Sequence, residues 1–413
     1  MRMRIKDIAI KVGSGVTPKG GATVYQNTGI PLFRSQNVTN DGFLLDDIVY
    51  ISEDIHNSMA GSRLKPNDVL LNITGASIGR CYYLPQDFKE GNVNQHVCII
   101  RLKKNVIPAF LYFNLISATG QKMIKSCQTG ANREGLTKEE LCNFAFEIPT
   151  IELQSKIVEY LNDKTSMINS NINLLNSKRD AYLRLKKSII NQAVTKGLDP
   201  EVKMKASGVD RIGEIPEHWD VKRLKDICTL SPSIKSCSQF KYASFLPMEG
   251  LRLGQIDISD APVSTLQGKY TPFENNDLLI AKVTPCFENG NIAIAQGLTN
   301  GIGFGSSEIF VLRAKKVLNI QFLFYMALSS DFQDKACSTM CGVGGLKRIS
   351  PLFMKSHTIT MPPLSEQQAI ATYLDEKCSK IDKIVANLEK QISLYTDMKR
   401  SLIDEVITGK RAV

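Results

Sequence analysis

The chain is 413 residues long, 43% hydrophobic and 22% charged, with a formal net charge of +10 and a pI near 9. That length holds two to three domains with proper cores, nothing in the composition suggests disorder, and the positive balance favours a polyanionic partner, nucleic acid before membrane. The ten cysteines are scattered singly, which excludes zinc-ribbon spacing and a disulfide lattice and fits reduced thiols in the cytoplasm.

The opening MRMRIKDIAIKVGSG lacks the apolar run of a signal peptide. Residues 1–148 then alternate β-rich runs such as DVLLNI and HVCIIRL with the turn signals TNDG, KPND and TGAS, and one helix is expected over 108–125. Its apolar stretch VIPAFLYFNLISA is too short to cross a bilayer and carries Asn114, so a cytoplasmic protein with no membrane role is expected. From 152 to 196 there is neither proline nor glycine, and a long helix is expected over 149–197. A linker follows at 198–213. Residues 214–361 repeat the mixed pattern with DLLIAKV, SSEIFVLRA, the turn FENGN and a helix over 318–335, and a second long helix is expected over 362–413. Each mixed block reads as a compact α+β domain.

The two long segments are copies. IPTIELQSKIVEYLNDK (148–164) and MPPLSEQQAIATYLDEK (361–377) align without a gap, and one constant offset takes Gln154 to Gln367, Leu161 to Leu374, Tyr182 to Tyr395 and Ile190 to Ile403. Such self-similarity makes the chain two half-units, each a variable block followed by a repeated helix. Ile381, Val385, Leu388, Ile392, Tyr395, Met398 and Leu402 step by three and four along one stripe. Ile168, Ile172, Leu175, Tyr182, Leu185 and Ile189 form the matching stripe, with Arg179 as a polar intruder. The stripes can pair parallel or antiparallel, or serve as ordinary dimerisation surfaces. About 35 to 40 helical residues at 1.5 Å each span roughly 50 to 60 Å, close to fifteen base pairs of DNA.

Side chains able to reach phosphates and base edges cluster at the turns of both blocks. In the first they are Arg34, Gln36 and Asn37 in FRSQNV, Asn72, Thr74, Ser77 and Arg80 in LNITGASIGR, Asn92, Asn94 and Gln95 in GNVNQH, and Asn132 with Arg133 in TGANREG. In the second they are Arg252, Gln255, Lys282, Thr284, Asn289, Asn291, Ser306, Ser307, Lys347 and Arg348. Arg and Lys match the acceptors of guanine, and Asn and Gln match the donor and acceptor of adenine.

No catalytic arrangement emerges. GIGFG (301–305) lacks the GxGxxG order and its flanking strand and helix, and is expected to be a flexible loop. MPPL (361–364) lacks the preceding Asp or Asn and the following aromatic of an amino-methyltransferase site, and is expected to be a strand-to-helix joint. DEK at 375–377 answers NDK at 162–164 and reads as a solvated helix face. His56, His96, His218 and His357 stand alone without nucleophile or metal-ligand spacing, and no GxxxxGK[ST] loop occurs. The expectation is a non-catalytic chain with no cofactor or metal of its own.

The order of block, helix, block, helix closely resembles the specificity subunit of type I restriction-modification systems. The helix openers quoted above, IGEIPEHWDVKRLKDI (212–227) at the head of the second half and TGASIGR in the first block carry the resemblance across essentially the whole chain. The looser TPCFENG stands where the second block would repeat TGASIGR. The resemblance implies an α+β fold of two similar α/β target-recognition domains joined by two long antiparallel helices forming a coiled coil. Each domain would read one half of a split double-stranded DNA sequence, with the helices as a ruler over the unread gap. It also implies docking of two modification subunits that bind S-adenosylmethionine and methylate adenine, and of restriction subunits that use ATP and Mg. A related two-subunit restriction enzyme, or a coiled-coil scaffold without nucleic acid, is the alternative.

Overall fold

The apolar runs of each block pair as antiparallel strands. The computed structural model describes residues 1–128, 135–234, 239–343 and 345–413, and contacts divide the chain into two units, residues 1–176 with 390–413 and residues 177–389. In the first unit the main sheet runs Ala9–Ser14, Val97–Leu102, Val69–Asn72 and Cys81–Tyr83. In the second it runs Cys228–Leu230, Ile309–Ala314, Asp277–Ala281 and Ile292–Ile294. The strands expected from DVLLNI, HVCIIRL, DLLIAKV and SSEIFVLRA are therefore the central ones, and their unbroken apolar runs reflect burial on both faces.

One ion pair recurs at the base of both sheets. Arg101 grips the buried carboxylate of Asp68 through Nε and Nη2, both at 2.7 Å, and Arg313 grips Asp277 in the same way at the same distances. Each carboxylate also accepts a backbone N–H three residues upstream, from Lys65 and from Glu274, at 2.8 Å.

A second sheet accompanies each main sheet, of three strands in the first unit and four in the second. In the first unit it is Val49–Ile51, Ile30–Phe33 and Asn92–Val93, and in the second Ser259–Pro262, Tyr242–Leu246, Ile302–Gly305 and Thr271–Glu274. The strand Ile302–Gly305 overturns one expectation, because IGFG of the GIGFG run is a buried strand and not a flexible loop. Its glycines answer a packing demand. A Cβ on Gly303 would meet the Phe273 ring of the neighbouring strand at 2.5 Å, so only a bare backbone fits beneath that ring.

Each helix expected after the sheet is two helices. Pro108–Ile116 gives way to Ala118–Ser126, and Ile320–Leu328 to Ser330–Ser338. Ser117 and Ser329 take extended backbone angles, and their hydroxyls accept the N–H of Gly120 and Phe332, so each ends one helix and N-caps the next. The first helix of each pair is buried nearly all round, which explains the apolar stretch read at 106–118. Among the described residues no helix is long and apolar enough to cross a membrane.

The repeated segments form helices Ile151–Lys196 and Leu364–Ile407. In the first unit the start of the first long helix packs against the end of the second, Ile157, Leu161 and Ile168 sharing a core with Leu402, Ile403 and Val406. In the second unit the end of the first helix packs against the start of the second, Ile190, Ala193 and Val194 joining Ile370, Leu374 and Cys378. Both pairings are antiparallel. The buried seam departs from the expected stripe at Leu185 and its counterpart Met398, which are 47% and 49% exposed. Their immediate neighbours Lys186 and Lys399 turn inward instead, with side chains 16% and 15% exposed. A straight helix of 3.6 residues per turn drifts off a 3.5-residue stripe, and the drift surfaces here. Arg179 bonds Asp180 on its own helix and sets no register across the pair.

The glutamine repeated in both openers has a mechanical role in each half. Gln154 accepts the Ile107 N–H and donates to the carbonyls of Asn105 and Pro149. Gln367 accepts the Asn319 N–H and donates to the carbonyls of Val317 and Pro362. Both amides are fully buried and latch the start of a long helix to the loop that enters the apolar helix of the same unit. The mismatch between the openers has a local cause as well. Glu366 accepts the indole N–H of buried Trp219 and pairs with His218, the HW of IPEHW, whereas Leu153 at the matching position is exposed. Gly197 ends the first long helix at φ 79° directly under that indole, 3.1 Å from where a Cβ would stand.

Candidate nucleic-acid interface

In the first unit the expected side chains divide by burial. Gln36, Arg80 and Gln95 are exposed, and Arg34, Thr74 and Ser77 are half-buried. Asn37, Asn72, Asn92 and Asn94 are buried and hold the scaffold. Asn37 accepts the Arg34 N–H and donates to the Leu44 carbonyl, closing the turn that carries Gln36. Asn72 donates to the Ser35 carbonyl and so ties that turn to the central strand. Asn92 bridges Met59, Ser62 and His56. These three asparagines brace the turns from the interior, Asn37 and Asn92 using both ends of the amide and Asn72 its NH2 group, while the buried Asn72 Oδ1 has no partner among the described residues. Asn132 and Arg133 lie outside the described residues.

Four residues from two turns meet at one place in this unit. Thr74 Oγ1 lies 2.6 Å from His96 Nδ1, Gln95 Nε2 lies 3.2 Å from His96 Nε2, and Asn94 Oδ1 accepts the His96 N–H. His96 does not stand alone as expected; it joins TGAS to GNVNQH, and its place within that polar stretch was the available signal. Arg34 belongs to a neighbouring turn, where its guanidinium donates to the Asp47 carbonyl and lies 5.9 Å from the centre of the Tyr25 ring.

In the second unit the exposed candidates are Arg252, Gln255, Asn289, Ser307, Lys347 and Arg348, the half-buried ones Lys282, Asn291 and Ser306, and Thr284 is buried. Lys347 and Arg348 sit on a two-stranded ribbon, Cys341–Val343 with Leu346–Arg348, which projects its apolar residues outward: Val343 is 90% and Leu346 49% exposed. Thr284 is the ribbon's mount. Its hydroxyl donates to the Gly345 carbonyl and accepts the Lys347 N–H, while its own N–H bonds the Lys347 carbonyl. Gly345 stands in the turn at φ 82°, a conformation that suits glycine. The sequence VGGL at 343–346, two glycines between apolar residues, is a turn signal that polar composition does not carry.

The charges at the ribbon's foot are ordered. Arg348 engages Glu308 through Nε and Nη2 at 2.9 Å, which holds the carboxyl below the usual range and the guanidinium above its own. Lys282 donates to the Ser307 carbonyl and lies 4.8 Å from the centre of the Phe310 ring, and burial lowers its ammonium pKa against the pull of Glu308. An Arg fork fixed by a carboxylate keeps Nη1 outside the pair, so it remains a positioned donor. The backbone is bonded alike in the two units here. Ile73 donates to the His96 carbonyl and Lys282 to that of Glu308, each just ahead of the neighbouring strand, and each accepts from the returning segment, from Leu136 and from Ile349. Among the described residues no group of three or more His, Cys, Asp or Glu is placed to hold a metal ion.

Comparison with known proteins agrees with this architecture. A family profile described as the type I restriction modification DNA specificity domain matches residues 1–177 and again 216–394. The EcoAI specificity subunit of Escherichia coli is 32% identical over 198 residues, 47% of this chain, and the chain spans 33% of that protein's length. The MjaVIII specificity subunit of Methanocaldococcus jannaschii is 25% identical over 362 residues, covering 83% of this chain and 79% of its own. The putative MjaX specificity subunit of the same organism is 24% identical over 418 residues, covering 98% and 92%. A solved chain from work on complex assembly and conformational transition of the type I R-M system superposes with a TM-score of 0.70 at 14% identity, covering 98% of this chain and 97% of its own, which establishes the shared fold. Two matches to one specificity-domain family, one on each repeated half, place this chain in the family of type I restriction-modification specificity subunits.

Proposed function

We propose that this chain reads a bipartite double-stranded DNA target and supplies a methyltransferase and nuclease assembly with its address. The observation that carries the reading is the doubled antiparallel plan. Each recognition block sits on the start of one long helix and the end of the other, so the halves follow the same plan with their helix polarity exchanged. Two readers related in that way suit half-sites read from opposite strands. The ribbon of Cys341–Val343 and Leu346–Arg348 is the element offered to the DNA in the second half, because a two-stranded ribbon fits the major groove and its exposed valine and leucine can meet thymine methyls. Thr74, Gln95, His96 and Arg80 are the corresponding offer of the first half. In this reading the chain performs no chemistry: two modification subunits hold S-adenosylmethionine and extrude the adenine, and restriction subunits use ATP and Mg. The net charge of +10 supports phosphate contact.

Lys347 gives the test. In the assembled methyltransferase, Lys347→Ala is expected to weaken DNA binding across all sequences and to lower the slope of log affinity against log salt by about 1. Fluorescence anisotropy at several salt concentrations measures both. A shallow salt dependence that the substitution leaves unchanged would instead support a protein scaffold without nucleic acid.

A further inference from the structure

In both halves a short hairpin of the recognition domain turns toward the long helices, and the two are secured differently. In the first unit the hairpin is Val38–Thr39 with Gly42–Phe43, and its tip is Asn40-Asp41. Asp41 forms an ion pair with Lys399 of the second long helix, and Lys399 donates at 2.9 Å to Asn169 of the first. The Tyr112 hydroxyl donates to the Asn40 carbonyl at 2.6 Å, and the Cys81 N–H donates to the Asn40 side chain. The tip is thus tied to both long helices and to the domain behind it.

In the second unit the lysine is kept while its partners on the helix and the hairpin are replaced, and among the described residues the hairpin tip is held only by the Gly254 N–H on the Ile292 carbonyl of the sheet, at 2.8 Å. The repeat offset puts Lys186 in the place of Lys399 and Asp382 in the place of Asn169, and these two pair with each other at 2.6 and 2.8 Å. The lysine is therefore satisfied by the helices alone. The hairpin is Leu251–Arg252 with Gln255–Ile256, and the same register puts Leu253 and Gly254 where Asn40 and Asp41 stand. Phe324 replaces Tyr112 and has no hydroxyl to donate. Where the ties would run there is a cleft of about 740 Å³, with Leu253 and Gly254 on one wall and Lys186, Asp375 and Asp382 among the residues of the other. Leu253 is 45% exposed at the hairpin tip, and the cleft also carries Leu328 and Ala386.

We propose that the first recognition domain is latched to its helix pair by Asp41, Lys399 and Asn169, and that the second is unlatched from its pair, the hairpin tip Leu253-Gly254 moving to open and close the cleft while Leu251 stays in the core. Closure buries Leu253 against the apolar part of the far wall. Opening costs no ion pair, because Lys186 and Asp382 stay joined. The inference concerns this chain alone and stands apart from what the domains bind.

Electron spin distance measurements on the full chain test it, with nitroxide-bearing unnatural amino acids leaving the native cysteines untouched. One label pair at 39 and 170 reports the first half and a matching pair at 252 and 383 the second. The first pair is expected to give a narrow distance distribution and the second a broad one. Asp41→Asn or Lys399→Met should broaden the first, and Gly254→Asp, which restores a carboxylate beside Lys186, should narrow the second. Equal widths in the two halves, or a first distribution that neither Asp41→Asn nor Lys399→Met alters, overturns the proposal.

Discussion

Inserting seven helical residues after Asn176 and seven more after Glu389 is expected to lengthen the unread gap of the DNA target by about three base pairs, with both half-sequences unchanged. Seven residues at 1.5 Å add about 10 Å of helix, and a base pair rises about 3.4 Å. Seven is also close to two full turns, so the residues beyond each insert keep their faces to within about 20°. The insertion points correspond under the repeat, so matched inserts preserve both antiparallel seams: Ile157, Leu161 and Ile168 still meet Leu402, Ile403 and Val406, and Ile190 and Val194 still meet Ile370 and Leu374. An insert in one helix alone would shift one seam against the other. Sequencing of methylated DNA from cells carrying the variant reads the gap directly. A gap of unchanged length with altered half-sequences would remove the ruler from the account.

The second large effect is on stability. Arg101→Met and Arg313→Met each strand a carboxylate that is 0% or 1% exposed, Asp68 and Asp277. Removing one member of such a pair costs about 3 kcal/mol, because the remaining charge is left in the interior with only backbone N–H donors. The first unit should lose more. Arg101 is 19% exposed and Arg313 30%, so the pair in the first sheet is the more desolvated, and the additional Arg313 contact to the half-exposed Glu274 adds little. Lysine at either position should recover part of the loss, since it restores charge without the two-pronged geometry. Urea unfolding of the full chain, followed in each unit by hydrogen exchange, checks both the size and the order. Losses below about 1 kcal/mol in both variants would mean that the pairs are no more than surface contacts.

The repeat was legible because the features that recur are the ones each unit needs mechanically. Gln154 and Gln367 close the same three backbone groups, and the apolar positions around them fill the same cores. The antiparallel sense was not contained in the stripes, which suit either direction; it depends on which ends meet within each unit. Local glycine and helix signals misled where a long-range partner decided. GIGFG resembles a loop until the Phe273 ring is placed over it, and 108–125 resembles one helix until the Ser117 hydroxyl turns to cap a second.

The candidate site was legible by region and not by residue. FRSQNV, TGASIGR and GNVNQH lie at turns and Lys347 with Arg348 on an exposed ribbon strand, in regions that polar composition picks out. Composition does not report burial, however, and Asn37, Asn72 and Asn92 have the same chemistry as base readers while serving as interior braces. Polar composition is equally silent on Val343 and Leu346, which are apolar yet exposed, and on His96, which links two turns through its ring nitrogens.

Mapping the methylated adenines in cells that carry this chain and its partner subunits, before and after exchange of residues 1–148 for the corresponding block of a relative, tests two-headed reading most directly. The account predicts a split target with a gap of constant length, and after exchange a new sequence in one half only. A continuous target, or a change in both halves, would contradict it.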